Sequence, residues 1–183
     1  MEEVFVARQI FKQVFIDIFK PSYRSDFRIL VAGAGTDGGL SYLAEQLHHT
    51  KSETVYLDFS SSSMILAQFK VRIKGVSNVV WVMEWMENIP RLGLSGFDFI
   101  GCTGVLHHLK SPQIGLKGLS EAQLPYGGIY LMVYGRYCRT GVYHVQHMCQ
   151  LIINGIHNMV DELIIARRIL ESLSKDHWTK IFD

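Results

Sequence analysis

The chain is poor in the features that mark a disulfide scaffold, a membrane protein or a nucleic-acid binder. Its cysteines number only three, Cys102, Cys138 and Cys149. They are odd in count, widely spaced and without a CxxC, so neither a disulfide framework nor a four-thiolate zinc site is indicated, and a reducing, cytoplasmic compartment is expected. Charge of one sign is also lacking: 18 Lys and Arg stand against 17 Asp and Glu. The net charge of +1 sets up no field that would gather nucleic acid or an anionic membrane. No apolar run, such as that from Gly127 to Tyr134, approaches the roughly 18 residues that cross a bilayer. The start of the chain has no secretory apolar core, and Glu2, Glu3 and Asp17 are unlike an acid-poor transit peptide. Internal repeats, low-complexity tracts and proline- or serine-rich linkers are missing too. What is present is 183 residues, 48% hydrophobic and 19% charged. A chain of that size buries roughly 70% of its unfolded surface, which excludes disorder.

The apolar positions alternate between two periods. Val4, Ala7, Ile10, Phe11, Val14, Phe15, Ile18 and Phe19 recur at three and four, predicting an amphipathic helix that ends before Pro21 and packs on a sheet. From Phe27 to Ala32 a short β-branched run enters the turn GAGTDGG, and a helix is expected from Ser41 to His48. The alternation continues with strand Thr54 to Leu57, helix Ser61 to Lys74, strand Asn78 to Val82, strand Phe97 to Cys102, helix Pro112 to Glu121 and strand Gly128 to Tyr134. Strands separated by helices predict an α/β fold, a mostly parallel five-stranded sheet covered by helices on both faces. Beyond Tyr134 only helical spacing follows, at His144 to Met159 and Asp161 to Leu173. The expected organisation is a Rossmann-like domain over 1–135 and a helical appendage over 136–183, a cap on the acceptor side. Trp178 and Phe182 are expected to anchor that tail by burial.

Gly33, Gly35 and Gly38 directly follow a strand, where missing side chains let backbone amides and a helix N-terminus approach a ligand. Asp58 lies 20 residues beyond Gly38 at the end of the second strand, where a carboxylate accepts from vicinal ribose hydroxyls. Together they imply an adenosine-containing ligand. Against this stands a plainer account in which the glycines make a tight turn and Asp58 caps the helix near Ser61. Nicotinamide dinucleotide fits the same spacing, so an NAD(P)-dependent oxidoreductase stays open from these residues alone.

The segment FDFIGCTGVLHHLKSP at Phe97 to Pro112, followed by LPYGGIYLMVY at Leu124 to Tyr134, resembles the class I S-adenosylmethionine-dependent methyltransferases. More narrowly, LDFSSSSM at Leu57 to Met64 and GVLHHL resemble the bacterial methyltransferase domains joined to tetratricopeptide repeats, although no such repeats occur here. The resemblance spans Ile29 to Asp183. It implies that Gly33, Ala34 and Gly35 approach the methionine part of S-adenosylmethionine, that Asp58 holds the ribose with Phe59 beside the adenine, and that Cys102, Thr103 and Gly104 line the reactive end. His107 and His108 follow in the same turn; either serves as a base for the acceptor proton, or one packs beneath the loop and the other bonds backbone. Tyr134, Arg136 and Tyr137 are expected to face a small or polar acceptor, with surface residues opening a helix as the alternative.

The chain departs from the family pattern in four places. Val31 replaces an acid that would meet the cofactor's ammonium group. Asp37 stands where the third glycine is usual, with Gly38 one later, and either faces the sulfonium or caps the helix. Glu84 and Trp85 occupy the place of an Asp that meets the adenine amine, Trp85 suited to stacking and Glu84 to accepting. The seven-stranded family ends in an antiparallel hairpin that nothing after Lys175 supplies, so a C-terminally truncated form is expected, inactive in the extreme case. The fifth strand would then be an unprotected edge open to a homodimer or a partner chain. His144, His147 and Cys149 lack a fourth neighbour, and no metal is expected.

Overall fold

The computed structural model describes residues 25–37, 39–137, 139–156, 158–174 and 177. The amphipathic segment before Pro21, together with Gly38, Cys138, Trp178 and Phe182, lies outside the described residues. The chain divides into two compact units, Met1–Val133 and Tyr134–Asp183. Among the described residues no helix is long and apolar enough to cross a membrane.

In the first unit five strands, β1 (Arg28–Ala32), β2 (Glu53–Asp58), β3 (Val79–Met83), β4 (Phe97–Thr103) and β5 (Gln123–Met132), form one sheet in the order β3-β2-β1-β4-β5. Every pairing is parallel. A parallel neighbour needs a crossover, and helices α1 (Leu40–Leu47), α2 (Ser61–Ile73) and α3 (Pro112–Ala122) supply three of them. The central strands read as continuous apolar runs because both faces are covered: β1 is buried from Ile29 to Ala32 and β2 from Thr54 to Asp58. Alternation sends Ile29, Val31, Tyr56 and Phe99 to one face beneath α1 and α2, and Leu30, Ala32, Val55, Leu57 and Ile100 to the other beneath α3. Near the start of β4 the buried Asp98 carboxylate accepts the Arg28 backbone N–H at 2.9 Å.

Two elements differ from the sequence expectation for a physical reason. β5 begins at Gln123, not Gly128, and ends at Met132, short of Tyr134. Pro125 and Gly127 read as turn signals, yet the chain passes straight from α3 into the sheet with a register shift opposite Phe97 and Phe99. In the second unit, α4 (Thr140–Ile153) and α5 (Met159–Ser172) pack against each other. The helix expected to run on to Met159 stops at Ile153, because Gly155 adopts φ +95° and the side chain of Asn158 accepts from Val160 N–H to start α5.

A side chain at Gly127 would stand 2.8 Å from the Phe97 carbonyl oxygen and 3.1 Å from that of Asp98, both backbone atoms that cannot step aside. We expect Gly127→Ala to cost about 1–3 kcal/mol in urea denaturation, with Gly128→Ala, which meets nothing within 4 Å, as the mild control.

Candidate functional site

The carboxyl ends of β1 and β2 are tied together before any ligand is considered. Gly33 and Gly35 adopt φ +66° and +54°, which turns their amides back toward β2. Gly33 N–H donates to the Leu57 carbonyl at 2.8 Å, and Ala34 N–H to the same oxygen at 3.2 Å. Gly35 N–H reaches Asp58 Oδ2 at 2.8 Å, while the Tyr56 hydroxyl donates to the Gly35 carbonyl at 2.9 Å. Burial, with the Asp58 charge adding to it, raises the Tyr56 phenol above its ordinary range, so it stays a donor. Asp58 Oδ1 accepts Ser60 N–H at 2.8 Å, and Ser60 Oγ in turn caps α2 by accepting from Ser63 N–H.

Above this knot lies a cavity of about 360 Å³, within the size range of small-molecule sites. Gly33 supplies its β1 side, Leu57, Asp58 and Phe59 its β2 side, Glu84, Trp85 and Met86 its β3 side, and Gly104, Val105, His108 and Leu109 its β4 side. It sits at the carboxyl ends of parallel strands beside β1 and β4, where the crossover direction reverses and open α/β sheets receive ligands. A side chain on Gly33 would overlap Val105 Cγ2 at 2.3 Å, so glycine is what lets the β1 and β4 loops close on each other. At the mouth Phe59 and Trp85, both more than half exposed, stack at 4.3 Å with 6° between planes.

Of the residues singled out in the sequence, Gly33, Asp58, Phe59, Glu84, Trp85, Gly104 and His108 come together around this cavity. The Glu84 carboxylate accepts the Trp85 N–H at 2.8 Å and the Asn88 side-chain amide at 3.1 Å. Those two bonds hold it below the ordinary carboxylate range and fix the β3 loop. Asp37 spends both oxygens on Ser41, on its N–H and its hydroxyl at 2.9 Å each, which is the helix-capping alternative. Ala34 and Val31 are buried in the core under α1. Cys102 does not border the cavity: it is wholly buried beside Ile100 in the core beneath α3. Burial pushes its thiol up to about 11, partly offset by a bond from Leu106 N–H. Thr103 is half-buried and is not part of the lining, and neither is His107, whose ring lies 4.1 Å from that of His108. Tyr134, Arg136 and Tyr137 belong to the second unit, where the Arg139 guanidinium lies 3.8 Å over the Tyr134 ring.

Sequence reasoning missed Leu57, Met86, Val105 and Leu109, the apolar part of the lining, and the hydroxyl of Tyr56. The apolar four carry no chemical signature, because their role comes from how two loops meet.

The comparisons with known proteins agree with this fold. Residues 30–131 match the family described as Methyltransferase domain, and the chain belongs to that family. A curated relative, the uncharacterized protein syc1184_c of Synechococcus sp., is 31% identical over 126 residues, 68% of this chain and 30% of its own; the chain thus spans about a third of that relative's length. Among solved structures, YcgJ of Bacillus subtilis superposes with a TM-score of 0.57 at 20% identity, over 73% of this chain and 57% of its own. PKMT2 of Rickettsia typhi, in complex with AdoHcy, gives 0.59 at 18% identity, over 85% and 32%. The N-terminal domain of EvdMO1 with SAH bound gives 0.54 at 26% identity, over 65% and 46%. The fold is that of the class I methyltransferases.

Two outcomes follow. Asp58→Ala strands two part-buried N–H groups, those of Gly35 and Ser60, and should cost about 1–3 kcal/mol in urea denaturation. Folded Cys102 keeps its proton to about pH 11 while the unfolded thiol loses its own near 9. Its contribution is therefore full below pH 9 and is lost as pH rises from about 9 to about 11. Denaturation at pH 8 and pH 10.5 should show a decline that is smaller in Cys102→Ala.

Proposed function

We propose that this chain is the S-adenosylmethionine-binding core of a methyltransferase acting on a small or polar acceptor. The observation that carries this reading is the Asp58 carboxylate, 9% exposed at the cavity wall, with each oxygen engaged by one amide and retaining a second acceptor position. Two such positions suit the vicinal hydroxyls of a ribose. Phe59 and Trp85 offer flat apolar faces to an adenine, and Gly33 and Gly104 leave room for close backbone approach. Val31 is sealed in the core, so a cofactor ammonium group has no acidic partner from β1.

Once bound, S-adenosylmethionine supplies a methyl carbon already activated by its sulfonium, so the protein's share is positioning and exclusion of water. The apolar lining from Leu57, Met86, Val105 and Leu109 excludes water. His108, which borders the cavity, takes the acceptor proton on an imidazole nitrogen where the acceptor must lose one. Tyr134, Arg136 and Tyr137 are assigned to acceptor recognition because they directly follow β5 and suit polar or anionic groups. Family membership and the ligand-bound EvdMO1 domain favour this over the nicotinamide alternative. The LDFSSSSM and GVLHHL segments further align the chain with the bacterial branch joined to tetratricopeptide repeats.

Calorimetric titration with S-adenosylhomocysteine tests the reading. We expect micromolar binding, weakened at least about tenfold by Asp58→Asn and by Trp85→Ala, with no heat from NADH. Absence of binding by the folded protein, or binding indifferent to Asp58, would overturn it.

A further inference from the structure

The cavity at the strand ends is uneven in charge. Three of its lining residues titrate, Asp58, Glu84 and His108, and the others are glycine, aliphatic, aromatic or methionine. No Lys or Arg among the described residues lines it; Lys110, one residue past Leu109, is exposed and outside the lining. The Asp58 carboxylate is 9% exposed. Glu84 is half-buried, and the Trp85 N–H and the Asn88 side chain both donate to its Oε1. Those bonds weaken its hold on a proton, so it carries its charge at neutral pH. At pH 8 an imidazole is ordinarily neutral, and the lining then holds two negative charges and no positive one.

Backbone donors do not offset this. A glycine turn entering a helix ordinarily presents N–H groups and the positive helix end to a bound anion. Here those donors are engaged within the turn: Gly33 and Ala34 N–H on the Leu57 carbonyl, Gly35 N–H on Asp58, and Asp37 N–H on the Ala34 carbonyl at 3.1 Å. At the first turn of α1 the Asp37 carboxylate takes the Ser41 N–H and hydroxyl, which puts a further negative charge where an anion would dock. A cavity of about 360 Å³ is about 9 Å across. A charge inside it therefore stands within about 10 Å of both wall carboxylates, no more than a Debye length at 0.1 M salt. Apolar walls of low dielectric strengthen and focus such a field.

We propose that the cavity selects its ligand by charge, holding a sulfonium donor more tightly than the neutral thioether left after transfer, and turning away 5′-phosphates. This rests on the reading of the cavity as an adenosyl site. S-adenosylmethionine and S-adenosylhomocysteine share the adenosine, the ammonium and the carboxylate, and differ in the methyl and the positive charge on sulfur. A field that fills the whole cavity acts on that difference wherever the shared groups sit. Methyl transfer moves the methyl to the acceptor and returns the carbon–sulfur bonding pair to sulfur, which abolishes the charge inside the site. The product is thus loosened as it forms, and the site empties for the next donor. The phosphates of a nucleotide would instead meet Asp58 and Glu84 with the Gly33, Ala34 and Gly35 amides already spent.

Calorimetric titration of the full chain at pH 8 and low salt tests this, with circular dichroism to confirm that each variant folds. S-adenosylmethionine, and sinefungin with its amine in place of the methylsulfonium, should each bind at least about tenfold more tightly than S-adenosylhomocysteine, a gap of about 1.4 kcal/mol. By the same field 5′-AMP should bind at least about tenfold more weakly than adenosine. Glu84→Gln removes a negative charge and His108→Lys adds a positive one, and each should shrink the donor-to-product ratio at least about threefold. Salt at about 0.5 M should shrink it too. A purely structural role for Glu84 would weaken donor and product alike and leave the ratio unmoved. Equal affinities, a more tightly held product, or a ratio indifferent to both variants would overturn the proposal and leave the adenosyl reading standing. A folded chain that binds none of the adenosyl ligands would overturn both.

Discussion

The structure hangs on one carboxylate. Asp58 ends β2 and holds two amides at 2.8 Å, Gly35 of the β1 turn on one oxygen and Ser60 at the start of α2 on the other. Through these bonds the glycine turn, the second strand and the second helix share one anchor. The Leu57 carbonyl adds two more amides from the turn, and Tyr56 closes it from below. Hydrogen bonds to an ionised acceptor are stronger than neutral ones, and burial amplifies them. The same group that makes the turn rigid faces the cavity.

The cavity walls follow from this anchor. With the β1 turn drawn onto β2, Gly33 lies close enough to Val105 that any side chain would collide. The β4 loop is thus brought over the site and presents Gly104, Val105 and His108 to it. On the far side the Glu84 carboxylate, by taking the Trp85 amide and Asn88, sets the loop from which Trp85 meets Phe59. The aromatic mouth and the polar floor are consequences of short-range backbone geometry at four strand ends.

Much of this was legible in the sequence. The βαβ alternation and the positions of β1 to β4 could be read because buried parallel strands are short apolar runs with glycine or acid at their ends. The spacing from Gly38 to Asp58 pointed at the anchor itself. β5 was harder: Pro125 and Gly127 carry turn chemistry locally, and only pairing with β4 turns them into a strand with a bulge. Asp37 stood between two roles, and the hydroxyl four residues on, Ser41, decided for capping. Cys102 looked like a wall of the site because it ends a strand. It is wholly buried beside Ile100 in the core beneath α3. The apolar lining was invisible, since Val105 and Leu109 differ in no sequence property from core residues.

The central claim is that one buried carboxylate both fastens the glycine turn and receives the adenosyl part of a cofactor. Amide-resolved nuclear magnetic resonance during titration with S-adenosylhomocysteine tests it most directly. The account predicts shifts concentrated at Gly33, Gly35, Phe59, the Trp85 indole and Gly104, all saturating at one ligand concentration. Shifts that spare Gly35 and Trp85, or that gather in the helices beyond Tyr134, would contradict it.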